Sequence, residues 1–282
     1  MFQHFYMLDW SASSSPKLGK DSIWRCGKDF ATGQVSYPEN IATRFEVWDW
    51  FSRLIASCEA RDERALVGFD FAFAYPQGTA QALGHVPGVE PAWSYTWQCI
   101  EKLLEDHPDN RNNRFAVGAK LNEIVMSKIG CSEGPFWGIV GREEFSSLSP
   151  KKPVSFSQLP QWRGVEKMLP GCQPGWKLAY AGSVGGQALV GIAGLQKLRR
   201  QGHRFSIWPF EDPAEAPVVV AEMYPSHWPL QVDDHDIKDA NQVAQVAQEV
   251  TLARLTHWLD RSRLPSAALV EEGWVLGVEP NE

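Results

Sequence analysis

The chain has 282 residues, of which 44% are hydrophobic, and a formal net charge of -7. That is enough apolar material for a full core, in one large domain or in one domain carrying an insertion. The acidic balance excludes a global attraction to nucleic acid or to an anionic membrane, so any polyanion would have to bind through a local basic patch.

No apolar run approaches the roughly 20 residues of a membrane span, and Met1-Phe-Gln-His-Phe lacks a basic region followed by a secretion-type apolar stretch. Five cysteines, Cys26, Cys58, Cys99, Cys131 and Cys172, are widely spaced and include no CxxC pair. An odd number of scattered thiols fits a reducing compartment, and a cytoplasmic location is the expectation.

In chain order, residues 4–12, 22–28 and 34–38 read as three strands joined by short connections, the last after the turn signal Thr32-Gly33. A helix from about Thr43 to Ala60 follows, with Phe45, Trp48, Phe51, Leu54 and Ile55 at helical spacing. Residues 65–73 form a fourth strand that closes at Tyr75-Pro76. Residues 77–180 change character: helices are expected at 93–106 and 119–129, among many Pro and Gly residues and with no β periodicity. Beyond them lie a Gly/Ala-rich helix over 182–200, strands at 205–208 and 218–224, and a long helix over 238–259. This order implies an α/β fold whose opening meander makes the sheet mixed. The division expected is a discontinuous domain of residues 1–76 and 181–282, carrying a mostly helical insertion or lid at 77–180. The insertion holds 11 Lys and Arg against 10 Asp and Glu, whereas the rest of the chain holds 16 against 24. Arg114, Lys120 and Arg142 are its candidate substrate contacts, together with Ser11 in the polar loop after the first strand.

Carboxylates stand out in four short stretches. Asp9 ends Phe5-Tyr-Met-Leu8, Asp70 sits in Phe69-Asp-Phe-Ala-Phe73, and Glu222 ends Val218-Val-Val-Ala221. A carboxylate in a buried strand is costly unless it is paired or holds a cation. Asp236 and Asp239 lead into Val243, Val246 and Val250, a spacing that places both acids on the sheet-facing stripe of the last helix. Acids there are open to two readings, a helix cap or a metal ligand.

The segments Asp9-Trp-Ser, Phe69-Asp70-Phe-Ala-Phe-Ala-Tyr-Pro76, Glu222-Met-Tyr-Pro225 and Asp236-Ile-Lys-Asp239-Ala240 resemble segments of an uncharacterised family of predicted nucleases in the ribonuclease H-like superfamily. The resemblance covers residues 1–76 and about 181–282. It implies two divalent ions, Mg²⁺ or Mn²⁺, with Asp9 bridging both, Glu222 and Asp239 each holding one, and Asp70 completing the catalytic set. Asp236 joins the candidate metal ligands. The implied activity is hydrolysis of a phosphoester in nucleic acid or a nucleotide. A kinase-like or non-catalytic protein that binds a phosphorylated ligand on the same fold is the alternative. Some relatives carry a link to molybdopterin-guanine-dinucleotide synthesis, for which these residues suggest no mechanism.

Other motifs carry less. Leu18-Gly-Lys-Asp-Ser22 departs from a Walker loop at its first Gly and at its Mg²⁺-binding hydroxyl. Ala181-Gly-Ser183-Val-Gly185 imitates a nucleophile elbow, which makes a serine esterase using Ser183 a minor alternative, although no oxyanion segment accompanies it. Among 13 tryptophans, Trp10 and Trp137 are placed where they could stack on a base, and most others read as core.

Overall fold

The computed structural model describes residues 1–141 and 144–280. A six-stranded sheet, in the order β3-β2-β1-β4-β6-β5, organises the chain. β1 (His4–Asp9), β2 (Ile23–Asp29) and β3 (Glu39–Ile41) form an antiparallel meander. β4 (Ala65–Phe69), β6 (Val218–Glu222) and β5 (Phe205–Trp208) extend it parallel to β1. The fold is thus α/β with a mixed sheet, as the sequence implies. β4 and β6 are buried at every position, which explains why they read as unbroken apolar runs. The third strand falls later than residues 34–38, where only Val35 makes an isolated bridge, to Lys28.

Helices cover both faces. On one lie α1 (Arg44–Arg61) and α5 (Gly185–Arg200), packed on Leu8, Val67, Phe69 and Val220. Thr43 caps α1, its hydroxyl accepting from the Glu46 N–H and donating to the Glu46 carboxylate. The stripe of α1 rotates away from Phe45, which is exposed, and buries Val47, Phe51, Leu54, Ile55 and Cys58. On the other face lies α6 (Lys238–Glu249), packed on Phe5, Met7, Trp24 and Val219. The single last helix expected from the sequence is two, because the chain turns at Val250 and Thr251 caps α7 (Leu252–Trp258) by accepting from the Arg254 N–H.

Residues 77–180 do not form a mostly helical unit. α2 (Thr79–Leu83), α3 (Ala92–Leu103) and α4 (Arg114–Ile129) occupy the first half; between Ile129 and α5, the described residues contain only one short 3₁₀ turn, Val165–Met168. α3 and α4 pack against α5. Trp97, Phe115, Leu121 and Trp176 belong to the same apolar cluster as the sheet residues Leu8 and Val67, so the insertion shares its core with the sheet. The Trp97 indole N–H donates to the Phe73 carbonyl at 2.7 Å, tying α3 to the chain just beyond β4. Near residue 270 a π-helical turn, Ala268–Glu272, closes over the root of the insertion. Among the described residues no helix is long and apolar enough to cross a membrane.

Candidate carboxylate site

Three parallel strands, β1, β4 and β6, end on carboxylates at one edge of the sheet. Register pairs Leu8 with Phe69 and Phe69 with Glu222, and the Asp70 N–H donates to the Leu8 carbonyl at 3.0 Å. Asp70 therefore lies one residue past β4, beside the end of β1. The carboxyl-terminal edge of a parallel sheet is where α/β proteins place their ligands.

Strand alternation then divides the acids. Asp9 falls in the pleat of Phe5 and Met7, on the α6 face, where Asp239 arrives in the first turn of α6. Glu222 falls in the pleat of Val218 and Val220, on the α1/α5 face. Asp9 ends β1 and Asp70 follows β4 beside it, so the two carboxyls act on each other's proton affinity. Burial, then the charges of Asp70 and Asp239, hold the Asp9 carboxyl well above the ordinary carboxylate range. Burial, with the charges of Glu222 and Asp239, pushes Asp70 up to about 7. Asp239 also accepts from the Asp21 N–H at 2.8 Å, an exposed turn residue in the left-handed region.

Glu222 has a different fate. Arg163 grips it with both guanidinium arms, Nη2 to Oε1 at 2.6 Å and Nη1 to Oε2 at 2.7 Å, and the Phe73 N–H adds a third bond to Oε2 at 2.9 Å. Arg163 also donates through Nε to Glu166 at 2.8 Å and through Nη1 to the Glu272 carbonyl at 3.1 Å. Arg163, Glu166 and Glu222 are all buried. The expected metal ligand Glu222 is thus engaged by a guanidinium, for a physical reason: a buried carboxylate must be matched, and the insertion supplies the match.

The carboxylates line two hollows of a single cleft. One, of about 200 Å³, contains Asp70, Arg163, Cys172, Glu222 and Tyr224. The other, of about 420 Å³, contains Asp9, Ser11, Ser183, Asp239 and Gln242. Gly182, Val184 and Gln187 border both. The Gln187 amide donates to the Trp10 carbonyl and fixes α5 against the end of β1. Another hollow, of about 280 Å³, opens between α1, α3 and α5, but its acids Asp49, Glu101 and Asp106 are each paired with an arginine.

The remaining expected site residues scatter. Asp236 is exposed and lines neither hollow of the cleft. The Ser11 hydroxyl borders the Asp9 hollow and donates to the Asp21 carbonyl at 3.1 Å. Arg114 reaches the Ser14 hydroxyl at 2.7 Å and lies over the Phe115 ring, bracing the loop after β1. Lys120 points outward and pairs with Glu123 at 2.8 Å. Arg142 lies outside the described residues. Trp10 is core, packed against Trp48, Phe69 and Phe71. Among the described residues no histidine hydrogen-bonds Ser183; His257 pairs instead with Glu279. Gln187 and Tyr180 were not anticipated. Tyr180 carries a φ of 75° at the edge of the cleft, an unusual backbone for a bulky residue.

Among the described residues, no three His, Cys, Asp or Glu side chains are grouped so that they could hold a metal ion. Comparison of the chain with known protein families, with curated proteins and with solved structures finds no match in any of the three.

Proposed function

We propose that the chain is a metal-dependent phosphoester hydrolase acting on a nucleotide or nucleic acid, with Asp9, Asp70 and Asp239 as the ligands of a divalent ion. The observation that carries this reading is that β1 and β4 bring Asp9 and Asp70 to the same carboxyl-terminal edge of the sheet, where Asp9 and Asp239 line one hollow. The donor set suits Mg²⁺ or Mn²⁺, since hard cations take carboxylate oxygen. Among the described residues, the one guanidinium that lines either hollow, Arg163, is engaged by Glu222 and Glu166. The reading also rests on an α/β frame in which the antiparallel meander β1–β3 is followed by the parallel strand β4 beside β1.

A bound ion would supply an activated water and charge stabilisation at the phosphoryl group. The chain's own residues do the rest. Gln187 holds the end of β1 and fixes the height of Asp9. The amino-terminal end of α5 meets the cleft at Val184, and its positive dipole end favours an anionic group. Ser183, placed there as well, is a hydrogen-bonding hydroxyl in this reading and not a nucleophile.

A thermal-shift series with Mg²⁺ and Mn²⁺ tests the proposal, together with hydrolysis of an activated phosphodiester. The wild type gains melting temperature and hydrolyses the ester only with metal; Asp9→Asn loses both responses. A wild type whose melting temperature is unmoved by millimolar Mn²⁺ would end the metal reading.

A further inference from the structure

The hollow of about 280 Å³ between α1, α3 and α5 shares no lining residue with either hollow of the carboxylate cleft. Its size is near the small end of the roughly 300–1,000 Å³ range of ligand pockets. Its charges are unevenly matched. Asp106 accepts from Arg44 at 2.6 and 2.7 Å, Glu101 pairs with Arg200 at 2.8 Å, and Asp49 with Arg53 at 2.6 Å. None of these arginines lines the hollow. Lys197 does, from the last turn of α5, and among the described residues its ammonium meets no carboxylate. The acids are thus neutralised from outside, whereas the lysine is not. Apolar surface comes from Phe45, Trp48, Leu104 and Leu198. Phe45 is 57% exposed on a helix whose Phe51, Leu54 and Ile55 turn inward, so packing of the fold does not account for its ring. Trp48 sets its Nε1 edge against Gly194, where a Cβ would lie 2.7 Å from Nε1. Among the described residues this N–H has no acceptor, and it is not sealed from solvent.

We propose that this hollow is a second binding site, separate from the cleft, for a small aromatic carboxylate. The ring system lies against Phe45, Trp48, Leu104 and Leu198, and the carboxylate accepts from Lys197 and from the Trp48 indole N–H. A single negative charge is the match, because one free ammonium stands among three carboxylates whose own charges are only locally cancelled. A polyphosphate would meet more repulsion than attraction there. Arg44, buried and bonded to Asp106 as well as to the Ser11 and Ser13 carbonyls, keeps one wall of the site rigid.

The test is isothermal titration of the full chain, without divalent metal, with 1-naphthoate and with its neutral isostere 1-naphthamide. One 1-naphthoate per chain is expected, bound about tenfold more tightly than the amide, as one charge-assisted hydrogen bond provides. Lys197→Gln should remove that tenfold preference and leave the amide unaffected, whereas Lys102→Gln, on α3 but outside the hollow, should change neither. Phe45→Ala should weaken both ligands. Lys197 and Phe45 are exposed, so these variants keep the fold, which circular dichroism checks. No binding of 1-naphthoate at millimolar concentration would overturn the inference. So would equal affinity for acid and amide, or a loss that Lys102→Gln shares. Since no metal is present, each of these outcomes leaves the hydrolase reading untouched.

Discussion

Asp9 and Asp70 pay for their proximity by keeping a proton. An unfolded carboxyl releases its proton near 3.8, whereas native Asp70 holds it to about 7. Between those values the native state binds more protons than the unfolded one, so stability is fully present below 3.8 and is lost as the pH rises through 7. Asp70→Asn should therefore match the wild type at pH 3.5 and melt a few degrees higher at pH 8 in the absence of metal. Melting curves at the two pH values check this; equal melting temperatures at pH 8 would mean that the pair is not strained. Arg163 shows the opposite balance. Replacing it with Met leaves Glu166 and Glu222 buried without a cation, at a cost of about 3–5 kcal/mol. The double change Arg163→Met with Glu222→Gln should recover part of that loss in denaturant titrations.

At the scale of elements, α5 decides how closely the helical layer approaches the sheet. A Cβ on Gly194 would lie 2.2 Å from the Trp48 ring, and one on Gly191 would lie 2.5 Å from the Phe71 ring. Both rings are wedged against Trp10, so neither can move far. Gly194→Ala should cost about 1–3 kcal/mol, the usual penalty for overpacking, and would show as a lower denaturation midpoint with an unchanged slope. The central strands and these helices were legible because their signals are local: unbroken apolar runs in β4 and β6, and periodic stripes in α1 and α6. The break before α7 was not, since Val250-Thr251 contains neither Gly nor Pro and the turn depends on a side-chain cap. The stretch from Ile129 to α5 also defied periodicity, because its order comes from docking onto the sheet and not from repeating hydrogen bonds. The acids of the site were legible as anomalies in apolar runs. The partner of Glu222 was not, for Arg163 lies 59 residues away and nothing in Trp162-Arg-Gly-Val-Glu166 tells which distant carboxylate it meets.

At the scale of the whole molecule, the insertion and the sheet behave as one body. Their apolar clusters are continuous, and Glu271 and Glu272 tie the root of the insertion to the last segment of the chain. Glu271 accepts from the N–H groups of Gly78 and Ala80, and Glu272 from those of Gln77 and Gly164. Replacing both glutamates with Ala orphans four donors at once, each costing about 1–3 kcal/mol if it is left without water. Limited proteolysis should then cut first near residues 77–84 while the wild type resists. A single cooperative loss of the entire fold, with no early cut, would show that the root has no independent weakness.

That clamp has a consequence in time. Residues 268–272 leave the ribosome after every group they secure, so a growing chain carries Asp9, Asp70, Arg163 and Glu222 well before the Glu272 carbonyl can fasten Arg163 in place. The acids of β1 and β4 are translated early, and Arg163 lacks its Glu272 partner until residues 268–272 have followed. Ribosome-bound chains stalled before residue 268 should accordingly be digested in the 77–84 region, and the released chain should not.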